Sequence, residues 1–138
     1  MKFFAINGSH RKDGNTAQLL EKALEGIKSV CSDAEIESVN LYDVPFNGCK
    51  SCFACKKING RHYGKCVYKD DFKPILEEIV QADGVILGSP VYFGDVSGVM
   101  RCFLERFIFE KGKTRGGRQR RPAKRERKNA LFPRNDRP

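Results

Sequence analysis

Apolar positions along this chain follow two rhythms, short continuous runs and stripes at helical spacing. The first run, KFFAI from Lys2 to Ile6, is closed by Asn7-Gly8 and reads as a buried strand. From Asn15 or Thr16, both good capping residues, Leu19, Leu20, Ala23, Leu24 and Ile27 recur at three- and four-residue steps and predict a helix. EIESVNL, Glu35 to Leu41, is a second strand, although Ile36, Val39 and Leu41 do not alternate strictly. DVPFNG then breaks the chain with Pro45 and Gly48. A loop carrying cysteines runs from Cys49 to Cys66. Asp70 or Asp71 is placed to cap a helix reaching about Ala82, whose stripe is Phe72, Ile75, Leu76, Ile79 and Val80. GVILGSP, Gly84 to Pro90, is a third strand, apolar enough at its centre to be buried on both faces of a parallel sheet. Val96, Val99, Met100, Phe103, Leu104, Phe107 and Ile108 mark a third helix.

Strands and helices alternating in this way predict an open parallel α/β sheet, layered α/β/α, with right-handed crossovers. The pattern stops after Phe109, and charge changes at the same point. Residues 1–109 hold 14 Lys and Arg against 14 Asp and Glu, whereas residues 110–138 hold 12 against 3 and so carry the whole formal charge of +9. The chain of 138 residues is expected to be one domain, 1–109, followed by a basic, disordered tail, 110–138. No apolar run approaches the ~20 residues of a membrane span, and the N-terminal stretch is too short for a signal peptide, so a cytoplasmic location is the default.

Two loops carry candidate chemistry. In open sheets of this kind ligands sit beyond the carboxyl ends of the strands, which is where INGSHRKDGNT follows the first strand. Ser9, Asn15 and Thr16 offer side-chain donors, Arg11 offers charge, and a helix N-terminus adds its dipole and unpaired N–H groups. The loop matches neither GxxxxGK[ST] nor GxGxxG. By itself it is equally well a polar turn with an ordinary helix cap. SPVYFGDVSG, Ser89 to Gly98, follows the third strand and places Tyr92 and Phe93 in an exposed turn shaped by Pro90 and Gly94. Together the two loops suit a flat aromatic ring bearing a phosphate, a description that FMN fits.

These residues also carry a resemblance. GSHRKDGNT, GCKSCFAC with GKCVYKDDF, and ADGVILGSPVYFGDVSGVMRCFLER resemble, in that order, the motifs of the NADPH-dependent FMN reductase family, most closely its flavodoxin-like and iron–sulfur flavoprotein branches. The resemblance covers about residues 1–109. It implies a flavodoxin-like sheet, with Ser9, Arg11, Asn15 and Thr16 on the FMN phosphate. Pro90, Val91, Tyr92, Phe93 and Gly94 would line the isoalloxazine ring, with Ser97 nearby. It also implies hydride transfer from NAD(P)H through FMN to a flavin, a quinone or a redox protein, and a homo-oligomer such as a dimer. No side-chain acid or base is obligatory, so no catalytic residue is named.

Cys49, Cys52, Cys55 and Cys66 read as C-x2-C-x2-C-x10-C. Four thiolates at compact spacing suit a [4Fe–4S] cluster. Zinc with His62 as a spare ligand, or four reduced thiols beside the flavin, are the competing readings. The resembling iron–sulfur branch has a shorter final gap, which sets Cys66 apart. Cys31 and Cys102 are expected as small buried apolar residues.

A flavodoxin-like sheet has five strands in the order 2-1-3-4-5, and this sequence offers candidates for three, so strands four and five are expected to be lacking. Three readings of the basic segment compete: an altered gene end, a sheet completed by a second chain, and a nucleic-acid arm. The last is disfavoured because the segment has one aromatic residue, Phe132. The leading function is an FMN-dependent NAD(P)H oxidoreductase. An electron carrier without its own NAD(P)H activity, or an inactive truncated form, is the alternative.

Overall fold

Phe3 to Ile6 form an uninterrupted apolar run that only a sheet interior can cover from both sides, and they lie in strand β1, Lys2–Asn7. The computed structural model describes residues 1–111. After β1 come helix α1, Asn15–Val30, and strand β2, Glu35–Asn40. Two short 3-10 turns, Leu41–Asp43 and Ala54–Lys56, bracket the first part of the cysteine loop. Helix α2, Phe72–Gln81, strand β3, Gly84–Gly88, a hairpin of β4, Val91–Tyr92, and β5, Asp95–Val96, and helix α3, Gly98–Lys111, complete the described residues. None of these helices is long and apolar enough to cross a membrane.

β2, β1 and β3 form one parallel sheet in that order. Phe4 stands between Glu37 and Val85, and Ile6 between Val39 and Leu87. Strand residues alternate faces, so Phe4 and Ile6 share one side of β1 and Ala5 takes the other. On the first side lies the main core, in which Phe4, Ile6, Leu41, Phe72, Leu76, Ile79, Met100 and Phe103 are buried. Phe72 stacks on Phe46 at 4.3 Å and meets Phe103 edge-on at 5.9 Å. On the other side α1 packs on β1 and β3. A Cβ at Gly88 would come within 2.8 Å of the Leu20 side chain, so glycine is what lets α1 approach β3. The result is the expected three-layer α/β/α arrangement with the flavodoxin-like order 2-1-3.

Several sequence expectations change in detail. β3 ends at Gly88 rather than Pro90, and residues beyond it fold into the small hairpin. Its expected burial on both faces is not met: Leu87 is 44% exposed, because β3 pairs with β1 alone among the described residues. In α1 only Leu20 is buried, while Leu19 and Ala23 face outward, since no second helix flanks α1 on that side among the described residues. Neither expected cap uses its side chain: Gly14 precedes α1, and Asp71 precedes α2 without a capping bond. The stripe of α3 departs from a purely apolar one, since Arg106 and Glu110 are buried with Met100 and Phe103, and Ile108 is exposed. Cys31 and Cys102 are half-buried. Glu110 and Lys111, read as the start of the tail, continue α3, and the rest of the expected tail lies outside the described residues.

Replacing Phe103 by Ala removes a fully buried ring from between Phe72 and Phe107. Urea unfolding of Phe103→Ala should show a loss of about 3–5 kcal/mol; a loss below about 1 kcal/mol would place Phe103 outside the core.

Candidate functional site

Because β1 and β3 run parallel and side by side, the residues that follow them leave the sheet at the same edge. Gly8 N–H donates to Gly88 O at 2.7 Å, one residue beyond the end of β1. The Ser97 hydroxyl, fully buried, donates to Gly8 O at 2.7 Å and accepts from Met100 N at 3.3 Å. Ser89 Oγ in turn accepts from Ser97 N at 2.9 Å. Ser97 therefore ties the loop after β1 to the loop after β3, and the structure brings both candidate loops together.

The first loop is built from its own short polar residues. Asn7 Oδ1 accepts from Ser9 N at 2.8 Å, and Ser9 Oγ accepts from Arg11 N at 3.2 Å. Asn40, at the end of β2, donates to Ser9 O at 3.3 Å. Ser9 is buried, Arg11 and Asn15 are exposed, and Thr16 is half-buried. The N-terminus of α1 has no side-chain cap and no acid in its first turn. Its first N–H groups and its positive dipole end are open to an anion.

In the second loop, Phe93 and Gly94 both have positive φ, 51° and 78°, the geometry of a tight hairpin turn between Tyr92 and Asp95. Glycine adopts this freely, whereas a phenylalanine there is strained. Val91, Tyr92 and Phe93 are all exposed, and Pro90 is half-buried. Asp95 accepts from Val96 N at 2.7 Å and pairs with Arg101, the pair anchoring the hairpin on α3; the Val96 N–H first and Arg101 second hold the Asp95 carboxyl below its usual range.

The cysteine loop forms a second locality. Cys49, Cys52, Cys55 and Cys66 line one cavity of about 30 Å³, together with Phe53, Tyr68, Arg106 and Phe109. Burial pushes the Cys55 thiol up; nearby Lys56 opposes this, and thiols 52, 66 and 49 add to it. Cys49 Sγ accepts from Ser51 N at 3.4 Å. Ser51 and Phe53 both have positive φ, 52° and 58°, so the loop is strained on either side of Cys52. His62 is exposed and is not among the cavity's lining residues. Among the described residues no three His, Cys, Asp or Glu side chains converge as ligands of a single ion.

α3 holds this loop through groups that sequence reasoning missed. Glu105 accepts from Cys49 N at 3.2 Å, and buried Glu110 accepts from Cys66 N at 3.2 Å. Arg106 pairs with Asp70 through both terminal nitrogens. The available signal was two charges, at 106 and 110, on the stripe that begins with Met100 and Phe103.

A model of the family described as NADPH-dependent FMN reductase matches residues 1–124. An iron–sulfur flavoprotein of Methanocaldococcus jannaschii is 42% identical over 106 residues, covering 77% of this chain and 51% of that protein. One from Archaeoglobus fulgidus is 41% identical over 106 residues, covering 77% and 48%. The chain thus spans about half the length of these relatives. The solved structure of a flavone reductase shares the fold with a TM-score of 0.55, at 22% identity over 78% of this chain and 30% of that one.

Ser97→Ala removes the strut between the two loops and leaves Gly8 O and Met100 N without their partner. Stability should fall by about 1–3 kcal/mol, and amide exchange at Met100 should accelerate. Unchanged stability and unchanged exchange at Met100 would together mean that the hydroxyl makes neither bond.

Proposed function

The chain belongs to the NADPH-dependent FMN reductase family, and on that footing we propose that it is the flavin-binding part of an FMN-dependent oxidoreductase. In this reading the donor would be NAD(P)H and the acceptor a flavin, a quinone or a redox protein, linked by the chemistry that FMN would supply. The observation that carries it is the open N-terminus of α1, uncapped and free of acid in its first turn, at the same sheet edge as an exposed aromatic hairpin. When bound, FMN supplies the redox chemistry.

The chain's own residues supply placement. The α1 N–H groups, Arg11, Asn15 and Thr16 would meet the phosphate. Ser9 would join them: its Oγ accepts from Arg11 N, which shapes the loop and leaves the hydroxyl proton to donate to the phosphate. Pro90, Val91, Tyr92, Phe93 and Gly94 would cover the ring, and ring burial would offset the exposure and strain of Phe93. Ser97, which the resemblance puts near the ring, would serve it by fixing the hairpin against Gly8. No acid or base is needed at the ring.

The cysteine loop is proposed to hold an iron–sulfur cluster through Cys49, Cys52, Cys55 and Cys66. The donor set fits by chemistry: four thiols line one cavity, with N–H groups directed at Cys49 and Cys66 sulfurs. A cubane spreads its ligands more widely than a single ion, so the lack of a single-ion site does not conflict with it. The cavity has room for about one water as it stands, so loading requires the loop to open at exposed Cys52. A cytoplasmic, homo-oligomeric protein is the setting in which such a flavin centre would operate.

Titration of the purified chain with FMN and with riboflavin tests the phosphate half. FMN fluorescence should be quenched with a Kd at least ~10-fold lower than for riboflavin, about 1.4 kcal/mol in the phosphate contacts. Equal affinities would remove the phosphate assignment. Oxidation of NAD(P)H by the FMN-loaded chain with a quinone present separates the reductase from an electron carrier, which would hold flavin and leave nicotinamide unconsumed.

A further inference from the structure

Arg106 lies in α3 with 2% of its surface exposed, between the rings of Tyr68 and Phe72 at 5.4 and 5.2 Å. Asp70 takes both terminal nitrogens, at 3.1 Å for Nη2, and Nη1 also reaches Asn47 O at 3.5 Å. Nη2 lies 3.8 Å from Cys66 Sγ. Nε is buried and has no hydrogen-bond partner among the described residues. Folded proteins rarely leave a buried N–H orphaned. A salt bridge made only to hold the loop on α3 would not need a guanidinium with a spare donor, nor one lining the cavity of the four thiols.

We propose that Arg106 is the electrostatic positioning residue of the cysteine centre: its guanidinium, anchored by Asp70, faces the sulfur-lined cavity, offsets the negative charge of a thiolate-held cluster and donates hydrogen bonds to its sulfurs. This rests on the cluster reading given above. Four thiolates carry more negative charge than the iron and sulfide of an oxidised cubane balance, and that surplus needs a nearby cation in a site shielded from water. Asp70 neutralises part of the guanidinium charge. Removing Arg106 and removing the Asp70 carboxylate therefore break the same ion pair but change the charge at the sulfurs in opposite directions. A purely mechanical tie has no such sign.

The experiment reconstitutes the full chain anaerobically with iron and sulfide, and compares wild type with Arg106→Met, Arg106→Lys and Asp70→Asn. The readouts are iron per chain, the rate of iron loss to a chelator and the reduction potential by dye-monitored titration. Far-UV circular dichroism checks folding. Arg106→Met should lose iron about 10–100-fold faster, the usual effect of removing an outer-shell partner, and should shift the potential downward. Asp70→Asn should shift it upward, and Arg106→Lys should stay near wild type in potential. Should Arg106→Met fail to fold, the Lys and Asn variants decide alone, since they predict no shift and an upward shift. Shifts of the same sign in Arg106→Met and Asp70→Asn, or no shift in either, would overturn the proposal while leaving the cluster in place. A wild-type chain that retains no iron overturns the cluster reading and this proposal together.

Discussion

The parallel pairing of β1 with β3 is the constraint from which the candidate site follows. Parallel neighbours deliver the segments that follow them to one edge, and sheet pairing fixes the register to the residue, Asn7 opposite Gly88. The Gly8 to Gly88 hydrogen bond carries that register one residue beyond β1. From there Ser97, whose hydroxyl is shielded from water on every side, couples the two loops by a bond that water cannot replace. A polar loop and an aromatic hairpin about 80 residues apart in the chain thereby meet at one edge of the sheet. Gly88 matters for a second reason, since a side chain there would meet Leu20 and Thr16 of α1.

α3 connects the two localities. Its first residues follow the hairpin, and Arg101 holds Asp95. Its later turns hold the cysteine loop through Glu105, Arg106 and Glu110. At 1.5 Å per residue, Gly98 and Arg106 are separated by about 12 Å along the helix axis. One rigid element thus sets the spacing between a proposed flavin site and a proposed sulfur site. Met100 and Phe103, buried between these two ends, fix the helix on the sheet.

The main elements were legible because their signals are local and periodic: the run at Phe3 to Ile6 for β1, and Phe72, Leu76 and Ile79 for α2. The juxtaposition of the two loops was legible because strand order and direction follow from topology. What sequence could not supply were facts about the third dimension. Leu19 and Leu87 look like core residues by pattern, yet whether a neighbour covers them depends on elements elsewhere. Asn15 and Thr16 are good caps by residue type, yet the chain starts the helix one residue earlier and leaves its N-terminus open. Val91–Val96 carries turn residues, and only the positive φ of Phe93 and Gly94 makes it a hairpin. Arg106 and Glu110 were hidden because charged side chains are assigned to surfaces by default. Their partners, Asp70 and Cys66, lie more than 30 residues away in sequence.

Net charge is a poor guide to how this protein would attract an anion. Residues 1–109 balance cations against acids, so any preference must come from where the charges are held. Two positive fields are built into the described residues. One is the uncapped end of α1, a partial charge that needs no side chain and costs no desolvation of an ion. The other is a whole guanidinium enclosed by Tyr68, Phe72 and Asp70, where exclusion of water strengthens its reach. The first suits an anion reached from solvent. The second suits a negatively charged group beside the Cys66 sulfur. The two fields therefore differ in kind: one is open to solvent and set by the backbone, the other is enclosed and set by a side chain.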